Sequence, residues 1–313
     1  MLFSIGTRPS KSKQLRKEKG ISLIESFSDY VVIDLETTGL DPAYDNIIEF
    51  AGVRVKDGLI IDRFQSLVYS QYGVDDFITE LTGITNEMLS IAPPLDDVLP
   101  RFIEFIGNDV VVAHNANFDV NFIYDDCAYV LQHEFRNDFV DTMRVSRRLF
   151  KEHSSHTLAA IVERFGIKGS IDHRALSDAE KTYECYEYMK QYAIDNGVEF
   201  STLHPKDVRA KEVATENTEF NETTPIFNKA FVFTGVLEKM IRKEAMQAVV
   251  DMGGICFDNV NKKTNYLVLG NNDYCSTIKD GKSSKQKKAE SFMLSGLDLQ
   301  VISENVFYDM LVE

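Results

Sequence analysis

The sequence predicts two α/β domains in one chain, the first built on a mixed sheet and the second, smaller one on a parallel sheet. Three observations carry this. Tyr30 to Val68 holds three apolar, β-branched runs, two of them joined by Asp57-Gly58. From Leu95 to Tyr192 helical periods alternate with a short apolar strand, and after a polar, acidic stretch the alternation restarts at Asn228.

In order, Val31-Val32-Ile33-Asp34-Leu35-Glu36 reads as a buried strand, followed by strands at Ile47 to Val55 and Leu59 to Val68. Asp-Gly between such runs signals a type I′ hairpin turn, so the three strands are expected to be antiparallel neighbours. Turn residues crowd Thr82 to Glu87. After Pro93-Pro94, Leu95 to Ile106 places Leu95, Val98, Leu99, Phe102, Ile103 and Ile106 at helical spacing. Asp109 to Ala113 is a short buried strand that runs into His114-Asn115-Ala116-Asn117-Phe118-Asp119. Helices are expected at Val120 to Leu131, at Thr157 to Phe165 with Gly166 as its stop, and at Ala175 to Tyr192.

Residues 194 to 227 show no sustained period and contain the acidic run Ala214 to Pro225, which reads as a linker. Beyond it come a strand at Ala230 to Thr234, a helix from Lys239 to Met252 and strands near Ile255 and Tyr266. A lysine-rich helix from Ser284 to Leu294, a strand at Leu299 to Ile302 and a last helix from Glu304 complete the pattern βαββαβα. The division is therefore a basic segment at 1–29, a first domain at 30–192, a linker at 193–227 and a second domain at 228–313.

The 313 residues are 44% hydrophobic, enough for two packed cores. No run of about 18 apolar residues occurs and no signal-peptide pattern opens the chain, so a soluble, cytoplasmic protein without a membrane partner is expected. Cys127, Cys185, Cys256 and Cys275 form no C-x-x-C, which points away from zinc and from a disulfide framework. The net charge of −15 is uneven. Tyr30 to Tyr192 holds 14 Lys and Arg against 28 Asp and Glu, whereas Asn228 to Glu313 holds 11 of each. So acidic a first domain excludes a grip on long duplex DNA through a general basic field and leaves short substrates held locally. The basic run Lys11 to Lys19 reads as a solvated helix or tail.

Successive side chains of a strand alternate faces, so Asp34 and Glu36 project together from an otherwise apolar strand. Like charges that close raise each other's pKa unless a cation lies between them. An isolated D-x-E is ordinarily a solvated strand end. Here it is followed by Asp119 after the second strand context and by His173-Arg174-Ala175-Leu176-Ser177-Asp178 at a helix start. Carboxylates are the hard oxygen ligands that Mg²⁺ and Mn²⁺ prefer, and a metal pair about 4 Å apart stabilises both oxygens of an in-line phosphodiester displacement. A histidine ordinarily titrates near 6.5 and accepts a proton from water at neutral pH far better than an aspartate at about 3.9.

The three motifs, in that order, resemble the histidine-containing branch of the DEDD superfamily of 3′-to-5′ exonucleases, most closely the DnaQ-like proofreading subunits of bacterial replicative DNA polymerase. The resemblance runs from Asp29 to Tyr192 and includes Leu81 to Leu89 and Val140-Asp141-Thr142. It implies an RNase H-like fold, with Asp34, Glu36, Asp119 and Asp178 holding two divalent ions, Mg²⁺ or Mn²⁺, and His173 as general base. It also makes Thr37 and Thr38 candidate contacts to the terminal nucleotide. His114 either abuts the site or, the favoured reading, satisfies backbone groups at the strand end; His156 is expected to be structural, and Asp141 a cap for a helix at Thr142.

In the second domain, Phe231-Val232-Phe233-Thr234-Gly235, Met252-Gly253-Gly254, Lys262 to Val268 and Ser283 to Ala289 resemble a BRCT domain like that of bacterial NAD-dependent DNA ligases. Phe307 stands where many relatives carry a tryptophan. Gly281-Lys282-Ser283 is no P-loop, because Ser276 stands where the first glycine is required. The resemblance implies a phosphate pocket of Thr234, Gly235 and Lys285, with Lys288 as the alternative lysine.

The expected function is metal-dependent 3′-to-5′ hydrolysis at DNA 3′ ends, single-stranded or frayed, releasing nucleoside 5′-monophosphates in replication proofreading or repair. The BRCT domain would localise the enzyme through a 5′-phosphorylated DNA end or a replication or repair protein. The alternatives are a 3′-to-5′ exoribonuclease and a non-catalytic adaptor.

Overall fold

A computed structural model describes residues 16–169, 171–203, 209–237, 240–271 and 282–312. The chain divides into two compact units, Met1–His204 and Pro205–Glu313. Among the described residues no helix is long and apolar enough to cross a membrane.

Unit one is built on a six-stranded mixed sheet. Its strands are β1 (Ser22–Leu23), β2 (Tyr30–Thr37), β3 (Ile47–Lys56), β4 (Leu59–Leu67), β5 (Val111–Ala113) and β6 (Phe139–Asp141), in the order β1-β6-β5-β2-β3-β4. The pairs β2–β3 and β3–β4 are antiparallel, and β5, β6 and β1 add in parallel beyond β2. Asp57 and Gly58 both take positive φ, 50° and 74°, as a type I′ turn requires. This is the RNase H-like arrangement expected from the sequence.

Helices follow at α1 (Asp76–Thr82), α2 (Asn86–Ser90), α3 (Leu95–Ile106), α4 (Asn117–Asp126), α5 (Thr142–Leu149), α6 (Leu158–Phe165) and α7 (Ala175–Asp195). Strand alternation divides the core. Val31, Ile33 and Leu35 pack with Phe50, Phe102 and Phe122 on one face, whereas Tyr30 and Val32 pack with Ile161, Tyr186 and Met189 on the other. Each such side chain, fully buried, contributes about 1.5–3 kcal/mol. Asp34 and Glu36 share the face of Tyr30 and Val32, and this face carries α7.

Three expectations are corrected here. Arg16 to Phe27 is not a solvated tail: β1 pairs with β6, Ile24 is fully buried, and Arg16 binds Asp125 through two hydrogen bonds of 2.9 and 2.7 Å. The residues of the basic run before Arg16 lie outside the described ones. The helix expected from Val120 starts at Asn117, because Asn115 makes the turn with φ of 63° and leaves Asp119 inside the first turn. Within the stretch read as linker, Phe200 is buried in the first unit's core and Ile226 in the second's.

Unit two follows the order βαββαβα, with β7 (Ala230–Thr234), α8 (Arg242–Asp251), β8 (Ile255–Cys256), β9 (Tyr266–Leu269), α9 (Ser284–Leu294), β10 (Gln300–Ser303) and α10 (Glu304–Val312). Its sheet is parallel throughout, in the order β10-β9-β7-β8. Lys239, the expected start of α8, lies outside the described residues. Phe307 is fully buried and meets Phe231 and Phe233 edge-on at 5.9 and 5.1 Å. Gly253 takes φ of 79°, and a Cβ there would strike the rings of Phe227 and Phe220. Cys127, Cys185 and Cys256 are buried and free, their thiols pushed up to about 12 by burial, while Cys275 lies outside the described residues.

Candidate active site

Asp34 and Glu36 leave β2 on the α7 face, and Asp178 faces them from the first turns of α7. One oxygen from each of the three lies within 4.8 Å of the others. Asp119, buried in the first turn of α4, stands beside Asp34 and is the strongest neighbouring charge acting on it. Burial raises the pKa of Asp119, and the backbone amides of Asp119 and Leu35 oppose that rise. The sheet and α7 thus bring Asp34, Glu36 and Asp178 together, while Asp119 acts on Asp34 from α4 without joining that group of three.

Electrostatics give the arrangement its chemistry. Burial raises the pKa of Asp34, and the charges of Asp119, Glu36 and Asp178 raise it further. Burial likewise raises Asp119. Glu36 is pushed up to about 8 by burial and then by Asp178, Glu49 and Asp119, and Asp178 to about 6 chiefly by burial. One oxygen of Asp178 is buried without a hydrogen-bond partner. Three clustered carboxylates, one with an orphaned oxygen and with the charge of Asp119 beside them, fit divalent cations, which would supply the missing positive charge.

His173 is exposed and takes φ of 52°, a left-handed conformation that turns the chain sharply into α7. It lines, with Asp34, Asp178 and His114, a cleft of about 650 Å³ whose apolar wall includes Leu158, Val162, Ile167 and Ile171. Its charge acts on Asp178 to lower the pKa that burial raises. His114 Nδ1 lies 2.9 Å from the Thr142 hydroxyl, and burial lowers its pKa to about 4, so the ring is neutral at pH 7. His156 bridges Ser146 Oγ and the His153 carbonyl at 2.8 and 2.9 Å. Asp141 caps α5 by accepting from the N–H groups of Met143 and Arg144.

Thr37 and Thr38 follow Glu36, and their hydroxyls are engaged in the next loop. Thr37 donates to the Gly39 carbonyl at 2.6 Å, and Thr38 Oγ1 accepts from the Asn46 N–H at 3.0 Å. Sequence reasoning passed over Glu49 and Arg174. Glu49 is fully buried on β3 directly opposite Glu36, and Arg174 binds it through Nε and Nη2 at 3.2 and 2.8 Å. The available signal was a charge inside the apolar run Ile47-Ile48-Glu49-Phe50-Ala51.

In unit two the end of β7 meets the start of α9. The buried Thr234 hydroxyl donates to Ser283 Oγ at 2.8 Å, and Lys285 Nζ donates to the Phe233 carbonyl at 3.0 Å. Ser283 in turn caps α9 by accepting from the Gln286 N–H at 3.1 Å. Arg242, not singled out in the sequence, donates to the Gly235 carbonyl at 3.0 Å. Lys288 lies over the Phe292 ring, 5.7 Å from its centroid. Lys285 is therefore the lysine at the turn.

Comparison with known proteins finds one family match in each unit. The profile of the exonuclease family (RNase_T) matches residues 31–186, and that of the BRCA1 C Terminus (BRCT) domain matches residues 223–294. The DNA polymerase III subunit epsilon of Aquifex aeolicus is 40% identical over 157 residues, which cover 50% of this chain and 78% of that protein. The DNA polymerase III PolC-type of Bacillus subtilis is 41% identical over 172 residues, covering 55% of this chain and 12% of the polymerase. The chain thus spans only a small part of the PolC-type relatives it matches. Among solved structures, Exonuclease X in complex with 5′ overhanging duplex DNA is 26% identical, with coverage of 56% of this chain and 96% of its own and a TM-score of 0.42.

Proposed function

This chain belongs to the exonuclease family, and from that premise we propose that it hydrolyses DNA from the 3′ end, releasing nucleoside 5′-monophosphates. The observation that carries the reading is the convergence of Asp34, Glu36 and Asp178 within 4.8 Å, with Asp119 beside Asp34. These four acids would hold divalent Mg²⁺ or Mn²⁺, which would supply the positive charge that neutralises the scissile phosphate and the leaving oxygen. Hydroxide from water, its proton taken by His173, forms the new bond to phosphorus while the bond to the 3′ oxygen breaks, and that oxygen takes up a proton. The shortened strand keeps a 3′ hydroxyl. Leu158, Val162, Ile167 and Ile171 offer an apolar wall to the terminal base, and Thr37 and Thr38, which follow Glu36 in the chain, would contact the same nucleotide.

An acidic first unit suits one frayed or single strand better than a long duplex. In the second unit Thr234, Gly235 and Lys285, joined by Arg242, would receive one phosphate, from a 5′ DNA end or a phosphorylated protein. That would place the enzyme at replication or repair sites. The test is the product ladder from 5′-labelled single-stranded DNA, paired and mispaired primers and matched RNA, with Mg²⁺ or Mn²⁺. Stepwise shortening of DNA from the 3′ end is expected. A preference for RNA would make it an exoribonuclease, and no cleavage of either polymer would leave the adaptor reading.

A further inference from the structure

Helix α7 begins without a cap of its own. Its N-cap residue, Arg174, makes no side-chain capping bond, yet the first helical N–H, that of Ala175, is satisfied by Glu49 Oε2 at 3.1 Å. The cap therefore comes from another element, β3. The same carboxylate accepts from Arg174 Nε and Nη2 and, at 2.9 Å, from Gln65 Nε2 on β4. Four donors converge on one fully buried side chain.

Register makes this matter for the site. Glu49 stands opposite Glu36, so the strand pair that positions Glu36 also fixes the start of α7. Asp178 lies one turn further along the helix, and His173 immediately precedes Arg174. A carboxylate at a helix N-terminus is favoured by the exposed N–H groups and the helix dipole, and a bidentate guanidinium pair fixes orientation as well as distance. Neither Glu49 nor Arg174 belongs to the four acids or the cleft wall.

We propose that Glu49 and Arg174 are positioning residues, which hold the Asp178 carboxylate and the His173 ring in place against Asp34 and Glu36. The inference rests on the exonuclease reading of the site and extends it to two residues that do not touch the substrate. Glu49→Gln keeps the shape but weakens the cap and the guanidinium pair. Arg174→Lys keeps the charge but loses the two-point grip.

The test uses the full chain and measures Mn²⁺ affinity by calorimetry, kcat and KM on single-stranded DNA, and the melting temperature. For Glu49→Gln, Mn²⁺ affinity is expected to fall about tenfold and kcat about 10²-fold, with KM changed less than threefold. Arg174→Lys is expected to fall between wild type and Arg174→Ala in both measures. A purely structural role would lower the melting temperature and leave the Mn²⁺ affinity and kcat of the folded protein at wild-type values, which overturns the proposal. If Glu49→Gln does not fold, Arg174→Lys and Arg174→Ala decide it by the same two readouts. A wild-type chain that binds Mn²⁺ but cuts neither DNA nor RNA would defeat the exonuclease reading, while the metal titrations would still decide the positioning. A wild-type chain that binds no Mn²⁺ overturns both.

Discussion

Glu36 and Glu49 face each other across the antiparallel β2–β3 pair, two like charges at directly opposed positions. Such an arrangement is destabilising unless each charge is answered. Glu49 is answered by Arg174 from α7, whereas Glu36 is left with three other carboxylates and a pKa pushed up to about 8, burial being the largest cause. One acid of the pair is held by an ion pair, and the other sits among acids with its charge unanswered by a close cation.

If the four acids hold the metals, removing one removes transition-state stabilisation and leaves the fold. Asp34→Ala and Asp178→Ala should each lower metal-dependent turnover by at least about 10²-fold, with unchanged circular dichroism. Near-normal activity in either variant would sink the assignment.

His173 should act on the proton, not on binding. His173→Ala is expected to lower kcat more than it raises KM and to shift or remove the acidic limb of the pH-rate profile. A wild-type kcat with the limb unchanged would assign the proton to another group.

Metal should govern stability most strongly in alkaline solution. Glu36, ordinarily at 4.5, is raised to about 8 in the fold, and Asp178, ordinarily at 3.8, to about 6, each chiefly by burial. Between the ordinary and raised values the folded chain holds protons that the unfolded chain has released, so without metal stability must fall as pH rises from about 4 to about 8. Mg²⁺ or Mn²⁺ displaces those protons and should raise the melting temperature more at pH 8 than at pH 5. Equal metal-induced shifts at both pH values in melting experiments would contradict this.

The second unit should distinguish phosphorylated from unphosphorylated ends. In the full chain, Thr234→Ala with Lys285→Ala is expected to abolish any preference for 5′-phosphorylated DNA and to leave salt-sensitive background binding. Equal wild-type affinity for both ends, measured by fluorescence anisotropy across a salt series, would leave protein docking as the unit's role.

The sequence by itself determined the elements and the acids. Alternation placed Asp34 and Glu36 on one face of β2, the Asp57-Gly58 turn fixed the hairpin, and the βαββαβα order of the second unit followed from its periods, because these are local properties of neighbouring residues. What lay beyond reach had partners far away in the chain. The two-residue strand β1 exists only because β6 accepts it, and Arg16 is held by Asp125 across 109 positions. Asp119 reaches Asp34 because α4 begins three residues earlier than its apolar period suggests. Glu49 looked like one charge in a buried strand, and nothing near it in sequence could answer that charge. Tertiary structure decided its role by bringing the start of α7, 125 residues away, within hydrogen-bonding distance, since a fully buried carboxylate persists only where such donors are supplied.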